Sequence, residues 1–160
     1  MSKKKTPAIH STIEVDITPF RQHGRIDMHM DGDILVYEAV GPFNVETLDA
    51  MAVAQMAFLR GLPRTGRAWG SIAHFRASAM TSPEGLARYA KLMATPKPPE
   101  LEAKVTAFVV GADVEGGRIM LPHYQRIYET IGRPFASFTT LDEAKAWVHA
   151  QLTAIVPPKA

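Results

Sequence analysis

The chain has 160 residues, 18 basic against 16 acidic side chains for a formal net charge of +2, an apolar share of 46% and no cysteine. That length and composition suit one globular domain with its own core, and they exclude a disulfide framework, a thiolate nucleophile and Cys-ligated zinc. Without Lys3, Lys4 and Lys5 the body carries 15 basic against 16 acidic groups, too near neutral to bind a phosphate backbone, so no nucleic-acid partner is expected.

Residues 1–12 read as a flexible segment. The early lysines are not followed by an apolar stretch, which argues against a secretory leader. Arg25 to Met30 alternates with a period of two, Ile26, Met28 and Met30 on one face and Asp27 and His29 on the other. Asp31-Gly32-Asp33 is a turn signal, and Ile34 to Val40 is rich in strand formers, so the two runs predict a hairpin that Gly41-Pro42 ends. Asn44 then caps a helix to about Arg60, stopped by Gly61 and Pro63, with Val45, Leu48, Ala52, Leu59 and Leu62 as its inner stripe.

Arg67 to Phe75 reads as a third strand. Ser82 caps a second helix with Pro83 in its first position and Leu86, Ala90 and Met93 inward. Pro96, Pro98 and Pro99 make Thr95 to Glu100 a loop. Val105 to Val110 is an apolar run of the kind covered on both faces. Pro122 is expected to start a third helix with Tyr124, Ile127, Tyr128 and Ile131 inward and Gly132 at its end. Pro134 to Phe138 makes a fifth strand, and the capping box from Thr140 to Glu143 opens a last helix facing inward through Leu141, Ala144, Val148, Leu152 and Ile155.

The order β-β-α-β-α-β-α-β-α predicts an α/β fold, a mixed sheet of about five strands with about four helices. A single domain is expected over residues 13–156, with 157–160 as a tail. The longest near-apolar run, Ala50 to Leu59, falls short of the about 20 residues that cross a bilayer, so a soluble, cytoplasmic protein without a transmembrane segment is expected.

Catalytic signatures are absent. The stretch from Gly111 to Arg118 lies between a strand and a helix, but Gly117 and Arg118 stand where a phosphate loop needs lysine and a hydroxyl, and Asp113 and Glu115 repel anions. Asp27, Asp31 and Asp33 lack the spacing of a calcium loop. The histidines at 10, 23, 29, 74, 123 and 149 form no zinc-type pair, so no metal and no cofactor is expected. Gly70-Ser71-Ile72 lies inside a strand and is not a hydrolase elbow. One polar grouping stands out at the carboxyl end of an inner strand, where ligands of open α/β sheets collect: His74 and Arg76, with Ser78 and Asp113 from neighbouring loops. These four are the candidate ligand-binding residues.

The first helix is apolar around more of its circumference than one buried stripe needs. The extra cover comes from the chain's own fold, first of all, or from a second copy or a ligand; for a second copy, Met51, Met56 and Phe58 are the candidate interface residues, methionine being common at adaptable surfaces.

The element order, the hairpin ending at Gly41 before a helix, and the ending Phe138-Thr139-Thr140-Leu141-Asp142-Glu143-Ala144-Lys145-Ala146-Trp147-Val148 together resemble the STAS-like superfamily (sulphate transporter and anti-sigma-factor antagonist) related to stage II sporulation protein AA. The resemblance covers roughly residues 24–155. It implies that a regulatory serine follows the third strand, where Ser78, Thr81 and Ser82 stand, with Ser78 or Ser82 as the phosphorylation site. The Asp-Ser pair and following glycine of the regulatory members are absent here. The function expected is a non-enzymatic binding or regulatory module that acts through protein contacts, a homodimer or the complex with a protein partner. The alternative is a protein binding a small molecule or apolar ligand beside His74 and Arg76.

Overall fold

The computed structural model describes residues 9–16 and 20–155; residues 1–8 of the expected flexible segment, and the expected tail at 157–160, lie outside them. Strands β1 (Arg25–Asp31) and β2 (Ile34–Val40) form the hairpin. Helix α1 (Val45–Arg60), strand β3 (Gly70–Arg76), helix α2 (Pro83–Ala94), strand β4 (Thr106–Val110), helix α3 (Gly117–Thr130), strand β5 (Phe135–Phe138) and helix α4 (Leu141–Ile155) follow. The five-stranded sheet runs β1-β2-β3-β4-β5, with β1 antiparallel to β2 and every later pair parallel. The fold class is α/β with a mixed sheet, as the sequence implies.

Connection handedness explains the layering. Each parallel crossover from β2 to β5 steps one strand in the same direction, so right-handed crossovers put α1, α2 and α3 on one face. Ala54 and Phe58 of α1 pack on Met28 and Leu35 of the sheet, and Tyr124 and Tyr128 of α3 on Phe75 and Phe108. Helix α4 covers the opposite face, where Val148 packs on Ile34, Val36, Ile72 and Val109. All five residues of β4 are buried, because this strand alone lies under helices on both sides along its whole length.

The caps follow the sequence. Asn44 accepts from the Thr47 N–H at 3.1 Å, Ser82 from the Gly85 N–H at 3.0 Å and Thr140 from the Glu143 N–H at 3.3 Å. Gly41 allows a close backbone approach: a Cβ there would lie 2.2 Å from the Ser78 carbonyl oxygen. Gly41→Ala is expected to destabilise the fold by about 1–3 kcal/mol, read as a lower denaturation midpoint; an unchanged midpoint would contradict this contact.

Four expectations are corrected. Helix α3 starts at Gly117, not Pro122, which sits inside it. Gly116, at φ 72°, turns the chain into the helix early, and burial of Met120 on the core offsets the hydrogen bond that Pro122 removes. The flexible start ends sooner than residue 12. Ser11 and Thr12 are buried, the Thr12 hydroxyl accepts from the Ile26 N–H at 3.1 Å, and the His10 carbonyl accepts from the Met28 N–H at 2.7 Å, so this segment satisfies polar groups on the outer edge of β1. The inner face of α1 is Thr47, Leu48, Ala50, Met51, Ala54, Phe58 and Leu59 rather than the stripe through Val45 and Ala52. Met51 and Phe58 thus lie in the chain's own core, 7% and 9% exposed, and offer no surface to a partner. Helix α1 needs its extra apolarity because it packs against β1, α2 and the short turns at Thr12–Glu14 and Pro99–Leu101. Met56 is half-buried, against the cluster beneath α1.

Candidate functional site

Two regions lie on the faces of the sheet, one on each, apart from a larger open groove lined by Asp33, Arg60, Arg64, Arg67, Trp69 and Glu100. On the α4 face the register aligns Asp27, Glu38 and His74 across β1, β2 and β3. His74 Nδ1 and Arg76 Nη2 each lie 3.1 Å from the same Glu38 Oε2. His74 and Glu38 are about three-quarters buried, while Arg76 is 62% exposed. The His74–Glu38 contact is within ion-pair distance but off hydrogen-bond alignment. His74 and Arg76 thus share one carboxylate oxygen of Glu38.

Only two of the four residues expected to bind ligand come together there. Strand alternation puts His74 and Arg76 on one face. Ala77, at φ 61°, then turns the chain inward. Ser78 is 3% exposed, donates to Glu115 Oε1 at 3.0 Å and accepts from the Met80 N–H at 3.1 Å. Asp113 is exposed in the turn between β4 and α3. Both candidate phosphorylation serines are engaged structurally, Ser78 in that bridge and Ser82 as the cap of α2.

The second region is a half-open cavity on the opposite face, between β2, β3, β4 and helices α1, α2 and α3. It encloses about 70 Å³. All four tyrosines of the chain, Tyr37, Tyr89, Tyr124 and Tyr128, line it, with Phe43, Phe75 and Phe108. The rings are mutually braced: Phe108 lies 5.0 Å from Phe75 and 5.2 Å edge-on from Tyr124, and Tyr89 meets Tyr124 at 87° and 5.8 Å. Such contacts hold an aromatic wall in place rather than letting it collapse into the space.

The hydroxyls are partnered. Tyr37 donates to Gln55 Oε1 at 2.9 Å, Tyr124 to the Ala79 carbonyl at 3.0 Å, and Tyr89 and Tyr128 pair with each other. Burial raises all four phenols, Tyr128 to about 12 and the others further. They are neutral at physiological pH, so they shape and polarise the cavity but are not bases there.

One end of the cavity is polar. The Ser71 and Thr106 hydroxyls, at the starts of β3 and β4, bond each other at 2.8 Å. Arg133, which follows Gly132 at the end of α3, donates to Thr106 Oγ1 at 3.3 Å, lies 3.8 Å from Glu102 and stands 5.7 Å above the Tyr128 ring. Lys97 donates to the Leu92 and Thr95 carbonyls at 3.0 and 3.1 Å, and desolvation lowers its pKa. Among the described residues no group of three or more His, Asp and Glu side chains is placed to hold a metal ion.

Sequence reading missed the tyrosines, Arg133 and Glu38. Tyr124 and Tyr128 already stood on one helical face, and Glu38 already lay on the neighbouring strand. The missing signal was that Tyr37 and Tyr89 converge on the same space from other elements. No helix among the described residues is long and apolar enough to cross a membrane. No family model, curated protein or solved structure matches the chain.

Proposed function

We propose that this chain is a small-molecule-binding module of STAS-like architecture whose ligand occupies the tyrosine-lined cavity. The observation that carries the reading is Ala73. It lies mid-strand on β3, flanked in register by Tyr37 and Phe108 on the face under the helices, yet it is only half-buried. In a close-packed interior such a position is filled. Here the helices leave it open, and the braced rings keep it open. A concave, mostly apolar space with a few convergent polar groups is the general form of a small-ligand site.

The site lies on the opposite face from the His74 and Arg76 cluster. A self-associating regulatory module draws less support, because Met51 and Phe58 are taken up by the chain's own core.

A neutral single-ring probe tests the reading. Toluene at ten times its dissociation constant is expected to add about 1.4 kcal/mol to stability, a rise in melting temperature of about 4 °C for a chain of this size. A melting temperature that stays flat or falls steadily with toluene contradicts the proposal.

A further inference from the structure

We propose that the natural ligand of this cavity is a small aromatic acid, its ring among the tyrosines and its carboxylate on Arg133. The inference rests on the ligand-binding reading above and adds the chemical class.

The cavity is two-ended along the strands. Ser71 and Thr106 are paired in register at one end, and Phe75 lies four residues further along β3, about 13 Å at the strand rise. At the far end Phe43, Phe75 and Met51 are apolar and buried. At the near end the hydroxyls of Ser71 and Thr106 meet Arg133, Lys97 and Glu102. The polar end therefore holds two cations against one carboxylate.

Arg133 is the group with capacity to spare. Its guanidinium carries five N–H donors in a planar fork that fits a carboxylate, and its side chain is only 11% exposed. Among the described residues its one hydrogen bond goes to Thr106, and the Glu102 carboxylate stands off at 3.8 Å. The guanidinium carbon stands 5.7 Å above the Tyr128 ring. Lys97 is held beside this end by two backbone carbonyls and destabilised as a cation by desolvation, so an arriving anion relieves both positive groups.

Size sets the rest. The enclosed space, about 70 Å³, is smaller than the roughly 150 Å³ engineered cavity that binds benzene, so the ligand is held to one ring, with its short acid arm reaching toward the open side.

Phenylacetate and its neutral isostere phenylacetamide, titrated separately by calorimetry into the full chain at neutral pH, decide the matter. A charge-assisted contact predicts that the acid binds roughly 10–100-fold more tightly than the amide. Arg133→Gln is expected to abolish that preference by weakening the acid alone, with Arg133→Lys restoring part of it. Equal affinity of acid and amide in the unmodified chain overturns the inference and leaves the cavity reading standing. If phenylacetate, phenylacetamide and toluene all fail to bind, the cavity reading itself is lost. The comparison of acid with amide needs no variant, so the test holds even where Arg133→Gln unfolds.

Discussion

Phe108→Ala is expected to lower the unfolding free energy by about 3–5 kcal/mol, the range for removing a buried aromatic side chain. Phe108 is 2% exposed, and its ring lies 5.0 Å from both Phe75 and Phe135, 5.2 Å from Tyr124 and 5.7 Å from Tyr128. It joins the wall of the cavity to the hydrophobic core. Its loss also merges a new void with the existing one, so the neighbouring rings cannot close over the gap without giving up their own contacts. For a domain whose whole stability is about 5–15 kcal/mol, much of the margin goes. Urea denaturation of the variant measures it. A loss below about 1 kcal/mol would mean that the aromatic cluster collapses freely, which is incompatible with a preformed cavity.

The second large effect is alkaline unfolding. The four tyrosines share the cavity, and each has a folded pKa above its ordinary value of 10.0. Their contribution to stability is therefore complete below pH 10, because neither state is ionised there. It is lost as pH rises further, because the unfolded chain releases its phenolic protons first. At pH 11 the four phenols together cost the fold on the order of several kcal/mol. Lys97 acts in the opposite sense. Its pKa is lowered by desolvation, so it favours the fold increasingly as pH approaches 10.5, but as one partly exposed amine it offsets little. Phenolate absorbance and circular dichroism, followed together as pH rises, are expected to change in one coincident step above pH 10. Two or more tyrosines ionising near pH 10 while the dichroism stays native would contradict the burial on which the cavity depends.

Local chemistry made most of the fold legible. The turn at Asp31-Gly32-Asp33, the caps at Asn44, Ser82 and Thr140, and the apolar run of β4 each have one strong local reading, and one-step crossovers then leave a single simple layering. Local reading erred where tertiary contacts decided. Pro122 signals a helix start, but the left-handed Gly116 turns the chain into α3 about one and a half turns earlier and Met120 is buried there. Met51 and Phe58 look surplus to one helical stripe, but α1 is wrapped by β1, α2 and the turns at Thr12–Glu14 and Pro99–Leu101. Ser78 follows His74 and Arg76 closely in sequence, yet the left-handed turn at Ala77 sends it to the other side of the strand end.

The site was less legible for the same reason. Its residues come at most three at a time from β2, β3, α1, α2, β4, α3 and the turn before β5, with no spacing that sequence periodicity would pick out. Tyrosine on an inner helical face reads as core, and here it is both core and cavity wall. Arg133 reads as a loop cation after Gly132, although the fold sets it over Tyr128 beside Thr106.

The most direct test is calorimetric titration of toluene into the unmodified chain and into Ala73→Leu. Leucine at position 73 would fill the open space at the centre of β3 without removing any hydrogen bond. The unmodified chain is expected to bind one toluene saturably, and Ala73→Leu to bind none while melting at the same temperature or higher. Absence of saturable binding in the unmodified chain, or undiminished binding in Ala73→Leu, would contradict a ligand site in the tyrosine-lined cavity.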